Sequence, residues 1–173
     1  KHMRAWIARM TEDNIDQSAI EKAGEILKNG GLAAFPTETV YGLGGNGLNK
    51  EASKKIYAAK GRPSDNPLIL HIADMEQFYP LIKTDNAKII ARAEALADVF
   101  WPGPLTMILP KADNIPYETT GGLDTVAIRM PSHLVARALL QECKMPIAAP
   151  SANLSGRPSP TSASHVIEDM NGR

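Results

Sequence analysis

Residues 35–72 read FPTETVYGLGGNGLNKEASKKIYAAKGRPSDNPLILHI. The reading of this stretch decides the fold class. Leu32–Phe35 predicts a short buried strand closed by Pro36, which cannot donate a ladder hydrogen bond. Val40–Leu43 predicts a second short extended piece. Gly42, Gly44, Gly45 and Gly47 then predict a permissive turn, where backbone can approach something closely. Glu51–Ala59 predicts a helix with Ala52, Ile56 and Ala59 inward and Lys54 and Lys55 on a solvated face. Gly61 and Pro63 stop it, because a proline pushes the preceding residue out of helical geometry. Lys60 and Arg62 therefore sit where the helix ends, and the apolar strand Leu68–Ile72 follows.

The same alternation extends outward. Residues 14–29 predict an amphipathic helix with a Ser18/Glu21 capping box and a stop at Gly30-Gly31. Downstream, Met75–Ile82 and Asn86–Phe100 read as helices, and Trp101-Pro102-Gly103-Pro104 as a rigid turn before the strand Leu105–Leu109. A polar loop with Thr119, Thr120, Gly121 and Gly122 precedes the strand Thr125–Met130. Ser132 is expected to cap the helix Leu134–Cys143. Pro146–Ala149 reads as a strand, and Ser162–Met170 as a last helix. Several strands follow one another without a helix between them, which predicts one α/β domain with a mixed sheet.

Composition sets limits on function. The chain has 173 residues, a common length for one domain, and 19 Lys+Arg balance 19 Asp+Glu. A protein that grips duplex nucleic acid by its phosphates shows a basic excess, so any such contact here is a local patch. The single cysteine, Cys143, cannot form an internal disulfide, fits a reducing compartment, and lies among Leu139, Leu140 and Met145 as a core residue. No apolar run approaches the about 18 residues of a membrane span. Lys1-His2-Met3 resembles a tag remnant, leaving 4–173 as the domain. The expected location is the cytoplasm.

Three groupings carry candidate chemistry. Lys60-Gly61-Arg62 sets an ammonium and a guanidinium at a helix C-terminus. There they either cap the helix or together grip a polyanion such as a triphosphate. Pro150-Ser151-Ala152-Asn153 follows an apolar strand, where α/β folds place ligand groups, although an ST- or Asx-turn uses the same residues. Pro36-Thr37-Glu38-Thr39 supplies short polar groups at another strand end. His71 lies in an apolar strand, as either a satisfied core residue or a ligand contact. Arg129, in Val126–Met130, needs an anionic partner from the core or from a ligand carboxylate. The glycine-rich run matches neither common phosphate-loop pattern, no Cys/His metal cluster is present, and no nucleophile elbow appears.

FPTETVYGLG, KGRPSDNPLILHI, WPGPLTMIL, GLDTVAIRMP and PIAAPSANLSGRPSPT, in this order, resemble the YrdC-like family of threonylcarbamoyl-AMP synthases from Gly30 to about Arg173. The resemblance implies a twisted mixed sheet flanked by helices, with a large concave basic cavity. It implies that L-threonine, bicarbonate or carbon dioxide, and ATP give threonylcarbamoyl-adenylate and pyrophosphate, with a magnesium ion on the triphosphate. The product feeds tRNA threonylcarbamoyladenosine, installed by partner proteins. Lys60 and Arg62 are the implied catalytic cations. ATP falls to Lys60, Arg62, Ser151 and Asn153, with Thr120 as a weaker contact, and threonine to Thr37, His71 and Arg129. In the family the fold continues past a segment like Asn171-Gly172-Arg173, so its C-terminal part is expected beyond this sequence. Two other readings stand beside the synthase. One is an RNA-binding module for tRNA or double-stranded RNA, which zero net charge and 5% aromatics disfavour. The other is a carbamoyl-adenylate-forming domain like those of hydrogenase maturation.

Overall fold

The computed structural model describes residues 8, 10–36, 41–61 and 66–151. In chain order the elements are α1 (Gln17–Lys28), β1 (Ala33–Pro36), β2 (Tyr41–Asn46), α2 (Lys50–Lys60), β3 (Ile69–His71), α3 (Met75–Phe78), α4 (Ala87–Phe100), β4 (Thr106–Pro110), α5 (Tyr117–Thr120), β5 (Thr125–Arg129), α6 (Leu134–Cys143) and β6 (Ile147–Ala149). Among the described residues the strands form one sheet in the order β1-β2-β6-β3-β5-β4. β3 and β5 pair in parallel, and the remaining neighbours are antiparallel. The mixed α/β architecture is as expected.

Alternation along the strands sorts the core into two layers. Leu70, Ala148, Ile128, Met107 and Leu109 face Ile56 and Tyr57 of α2, Phe78, and Ala93 and Ala97 of α4. On the opposite face Ile147, Ala149 and Phe35 meet Ile20 and Leu27 of α1 and Leu139, Leu140 and Cys143 of α6. That second layer covers the β1–β2–β6 side. Ile69, Ala127 and Thr106 stay partly exposed among the described residues, and Ile108 is 70% exposed. His71 and Arg129 lie in register with Ile147 and Thr106 respectively, and so belong to this half-covered face.

Several local expectations need correction. Gly42, Gly44 and Gly45 lie in strand β2 rather than in a turn, Gly47 stands in the turn that follows it, and these glycines make room for protein. A Cβ on Gly44 would lie 2.9 Å from Ile147 Cγ2, and one on Gly47 2.2 Å from Leu70 Cδ2. Helix α1 starts later than expected and is capped by Asp16, whose Oδ1 accepts from the Ser18 and Ala19 N–H groups. An aspartate at that position reaches both orphan amides, so Ser18 lies inside the first turn. His133, not Ser132, caps α6, with Nδ1 accepting from the Val135 N–H at 3.2 Å. The segment 75–82 divides into α3 and a 3₁₀ turn at Tyr79–Leu81, where Pro80 interrupts the α-helical ladder. The polar loop before β5 contains the short helix α5, ended by Gly121 in the left-handed region. The predicted helix Ser162–Met170 lies outside the described residues.

Candidate active site

The sequence of α2 places Lys60. Asn49 caps its start, accepting from the Glu51 and Ala52 N–H groups at 2.9 and 3.2 Å. Ala52, Ser53, Ile56 and Tyr57 bury one face, and Gly61, with φ 63°, closes the last turn. A cation one residue before that left-handed cap sits in the negative field of the helix C-terminus.

β6 runs antiparallel to β3 with Ala149 opposite Ile69, so Ser151 emerges beside the residues that lead into β3. A shallow, solvent-open cleft results, lined by Tyr57, Lys60, Asn66, Pro67, Leu68, Pro150 and Ser151. Lys60 and Ser151, distant in sequence, thus share one cleft. The Tyr57 hydroxyl donates to the Asn66 carbonyl and ties the two sides of its floor. Below it, Thr119 Oγ1 donates to the Gly47 carbonyl at 2.8 Å, so the Ser53 hydroxyl, 2.8 Å away, donates to Thr119. This buried chain fixes α2 against α5. The Thr119 carbonyl in turn accepts from the Leu68 N–H at 2.9 Å, which aligns the entry to β3.

The second grouping lies at the other end of β3. His71 and Arg129 are register partners across the parallel β3–β5 pair, at the carboxyl ends of both strands. Open α/β sheets bind ligands at such ends. His71 Nδ1 lies 3.2 Å from the Ile147 carbonyl oxygen, and a carbonyl only accepts, so Nδ1 carries the proton. In the neutral ring Nε2 is then the acceptor. The Phe35 ring packs on the imidazole with centroids 4.8 Å apart. Phe35 belongs to β1, three strands away in sheet order, so the β1–β2 hairpin curls over this face. Arg129 Nε donates to the Gly103 carbonyl at 2.9 Å.

His71 and Arg129 do not line the Lys60–Ser151 cleft. Three steps along the strand separate its Leu68 edge from His71, roughly 10 Å. Thr120 is 1% exposed and its hydroxyl donates to the Leu123 carbonyl at 2.7 Å, closing the turn after α5. Thr37, Arg62 and Asn153 lie outside the described residues. Sequence reasoning missed Tyr57 and Asn66 as cleft residues, and Ser53 and Thr119 as its support. The available signal was the position of Tyr57 three residues before Lys60, one helical turn back on the same side.

Residues 25–173 match the model of the Sua5/YciO/YrdC family, described as "Telomere recombination". The chain belongs to the Sua5/YciO/YrdC family. It is 55% identical over 161 residues to a threonylcarbamoyl-AMP synthase of Pyrococcus abyssi, covering 93% of this chain and 46% of that protein. A threonylcarbamoyl-AMP synthase of Bacillus subtilis is 52% identical, with 98% of this chain and 49% of the relative covered. A solved structure of P. abyssi Sua5 complexed with L-threonine superposes with a TM-score of 0.82 at 56% identity, covering 90% of this chain and 45% of that one. This Sua5/YciO/YrdC chain therefore spans about half the length of these relatives.

Proposed function

We propose that this chain carries the synthase chemistry of its family: L-threonine, bicarbonate or carbon dioxide, and ATP are converted to threonylcarbamoyl-adenylate and pyrophosphate. The observation that supports this best is the meeting of Lys60 and Ser151 in one cleft, about one short strand away from the His71–Arg129 pair. A triphosphate and an amino acid are two anions that must be held side by side, and two polar groupings joined by a three-residue strand suit that task.

In this reading Arg129, held through Nε by the Gly103 carbonyl, pairs with the threonine carboxylate. His71, with its ring fixed by the Nδ1–H bond to the Ile147 carbonyl, and Thr37 complete the amino-acid side. The amine attacks carbon dioxide to form a carbamate and releases a proton. A carbamate oxygen then bonds to the α-phosphorus as the bond to the β,γ-pyrophosphate breaks. Neither step requires an enzyme nucleophile. Lys60 and Arg62 neutralise charge that builds on phosphorus and on the leaving pyrophosphate, while Ser151 and Asn153 hold the nucleotide; Thr120, buried with its hydroxyl on the Leu123 carbonyl, shapes the turn after α5 instead. Among the described residues no group of three His, Cys, Asp or Glu side chains could hold a metal ion. Magnesium would be held mainly by triphosphate oxygens, where it offsets their charge.

The concave cavity that would enclose both substrates is the half-covered face of the sheet, with its basic lining part of the same proposal. The product would pass to partner proteins that modify tRNA in the cytoplasm. No helix among the described residues is long and apolar enough to cross a membrane. Pyrophosphate release from ATP, measured with and without L-threonine and bicarbonate and again with serine or glycine, tests the assignment. Release that ignores threonine would refute it.

A further inference from the structure

The turn from α4 into β4, Trp101–Leu105, is fastened to the end of β5. The Gly103 N–H donates to the Met130 carbonyl at 2.8 Å, and the Gly103 carbonyl accepts from Arg129 Nε at 2.9 Å. Both polar groups of one peptide position are thus spent on consecutive residues of the same strand end. The turn is braced from within by the Trp101 indole N–H, which donates to the Leu105 carbonyl at 2.7 Å. Trp101 is buried, and its ring meets Phe78 edge-on at 5.8 Å. Position 103 leaves no room for a side chain, because a Cβ there would lie 2.5 Å from the Phe100 carbonyl oxygen. Thr106, one residue past the turn, is the register partner of Arg129 on β4.

A guanidinium is planar, with its N–H donors in a fixed fork. Holding Nε–H therefore sets the plane of the group and the direction of its Nη edge. An arginine left to its rotamers must be ordered by the ligand, at a cost in affinity. We propose that the Trp101–Leu105 turn is a positioning element for the amino-acid substrate: it acts through Arg129, and Trp101 is the residue that holds it in place. The inference rests on the reading of Arg129 as partner to the threonine carboxylate.

Trp101→Phe keeps an aromatic ring against Phe78 and deletes the indole N–H. The Kd for L-threonine, by calorimetry, is expected to rise about tenfold, while that for ATP stays within about twofold. The Arg129 Nε–H signal in ¹⁵N NMR, assigned by its loss in Arg129→Lys, should exchange faster with water. Phe78→Leu serves as comparison, since it removes the ring contact and touches none of the three hydrogen bonds. It should lower Tm and leave threonine affinity within about twofold. Unchanged threonine binding in Trp101→Phe, or equal weakening in Phe78→Leu, overturns the positioning role. So does an Arg129 Nε–H in the unaltered protein that exchanges as fast as a solvent-exposed arginine, a result that needs no variant to fold. Full threonine affinity in Arg129→Ala would sink the underlying reading instead. Loss in Arg129→Ala with no change in Trp101→Phe sinks only the positioning role of the turn.

Discussion

His71 and Arg129 stand side by side across the parallel pair of the described sheet, one the last residue of β3 and the other the last of β5. Adjacent strands lie about 4.8 Å apart, so the two polar residues are neighbours on one face of the sheet. The proposed function assigns the threonine zwitterion to this pair. His71→Ala should raise the Kd for L-threonine at least about tenfold while changing that for ATP little, by calorimetry. It should also cost roughly 1–3 kcal/mol in denaturant unfolding, because the Ile147 carbonyl loses the imidazole hydrogen bond and Phe35 loses the ring packed on it. Equal weakening of both ligands would mean that His71 supports the fold alone.

Lys60 is half-buried at the end of α2 and lines the cleft together with Ser151. Lys60→Met keeps the stem and removes the charge. Threonine-dependent pyrophosphate release should fall by about 10²–10³, the loss typical of one preorganised group that stabilises developing charge. The helix itself is held by Asn49, Gly61 and its buried face, so Tm should shift by no more than a few degrees. Turnover that survives in Lys60→Met would leave this cation as a helix-end cap only.

The two groupings differ in how legible they are in the sequence. The stop of α2 at Gly61, and hence the place of Lys60, follows from local chemistry, since glycine adopts the left-handed cap at no steric cost. The cleft does not, because Ser151 joins Lys60 along its wall through the register of β6 on β3, a pairing of distant segments no local pattern encodes. Strand β2 looks like a turn for a related reason. Glycine has low strand propensity, and what requires it at positions 44 and 45, and at 47 in the turn just after the strand, is the bulk of Ile147, Leu32 and Leu70 from elsewhere in the chain. Arg129 is conspicuous as a charge in an apolar strand, yet its hold on Gly103 arises only once the α4–β4 turn is folded back.

The hydrogen-bonded chain from Ser53 through Thr119 to Gly47 joins α2, α5 and the end of β2 at sites with no solvent exposure for either hydroxyl residue. Thr119→Val is nearly isosteric and leaves the Ser53 hydroxyl and the Gly47 carbonyl without that partner. Unfolding free energy from urea titration should drop by about 1–3 kcal/mol with little change in the m-value. A neutral result would show that water or a shifted Ser53 replaces the bond.

Cys143 gives the protein a predicted alkaline weakness. It is 4% exposed, at the end of α6 in the layer that packs α1 and α6 on the sheet. Burial disfavours the thiolate and pushes the thiol up to about 11 from an ordinary 9.0, partly offset by Lys28. A raised thiol pKa in the folded state means that the unfolded chain releases its proton first. Below pH 9 both states are protonated and the group adds nothing to the pH slope. Between pH 9 and about 11 the unfolded state binds fewer protons, so stability falls as pH rises. The slope approaches about 1.4 kcal/mol per pH step of one inside that window, the value for a full proton of difference between the two states. Burial and Glu12 also raise the Tyr41 phenol, which adds a fall of the same sign above its ordinary pKa of 10.0. Cys143→Ala isolates the thiol: it lowers stability at pH 7 through lost packing, yet its urea midpoint should decline less steeply than that of the parent between pH 9 and about 11. Parallel pH profiles for the two proteins would place the alkaline loss on the tyrosines instead.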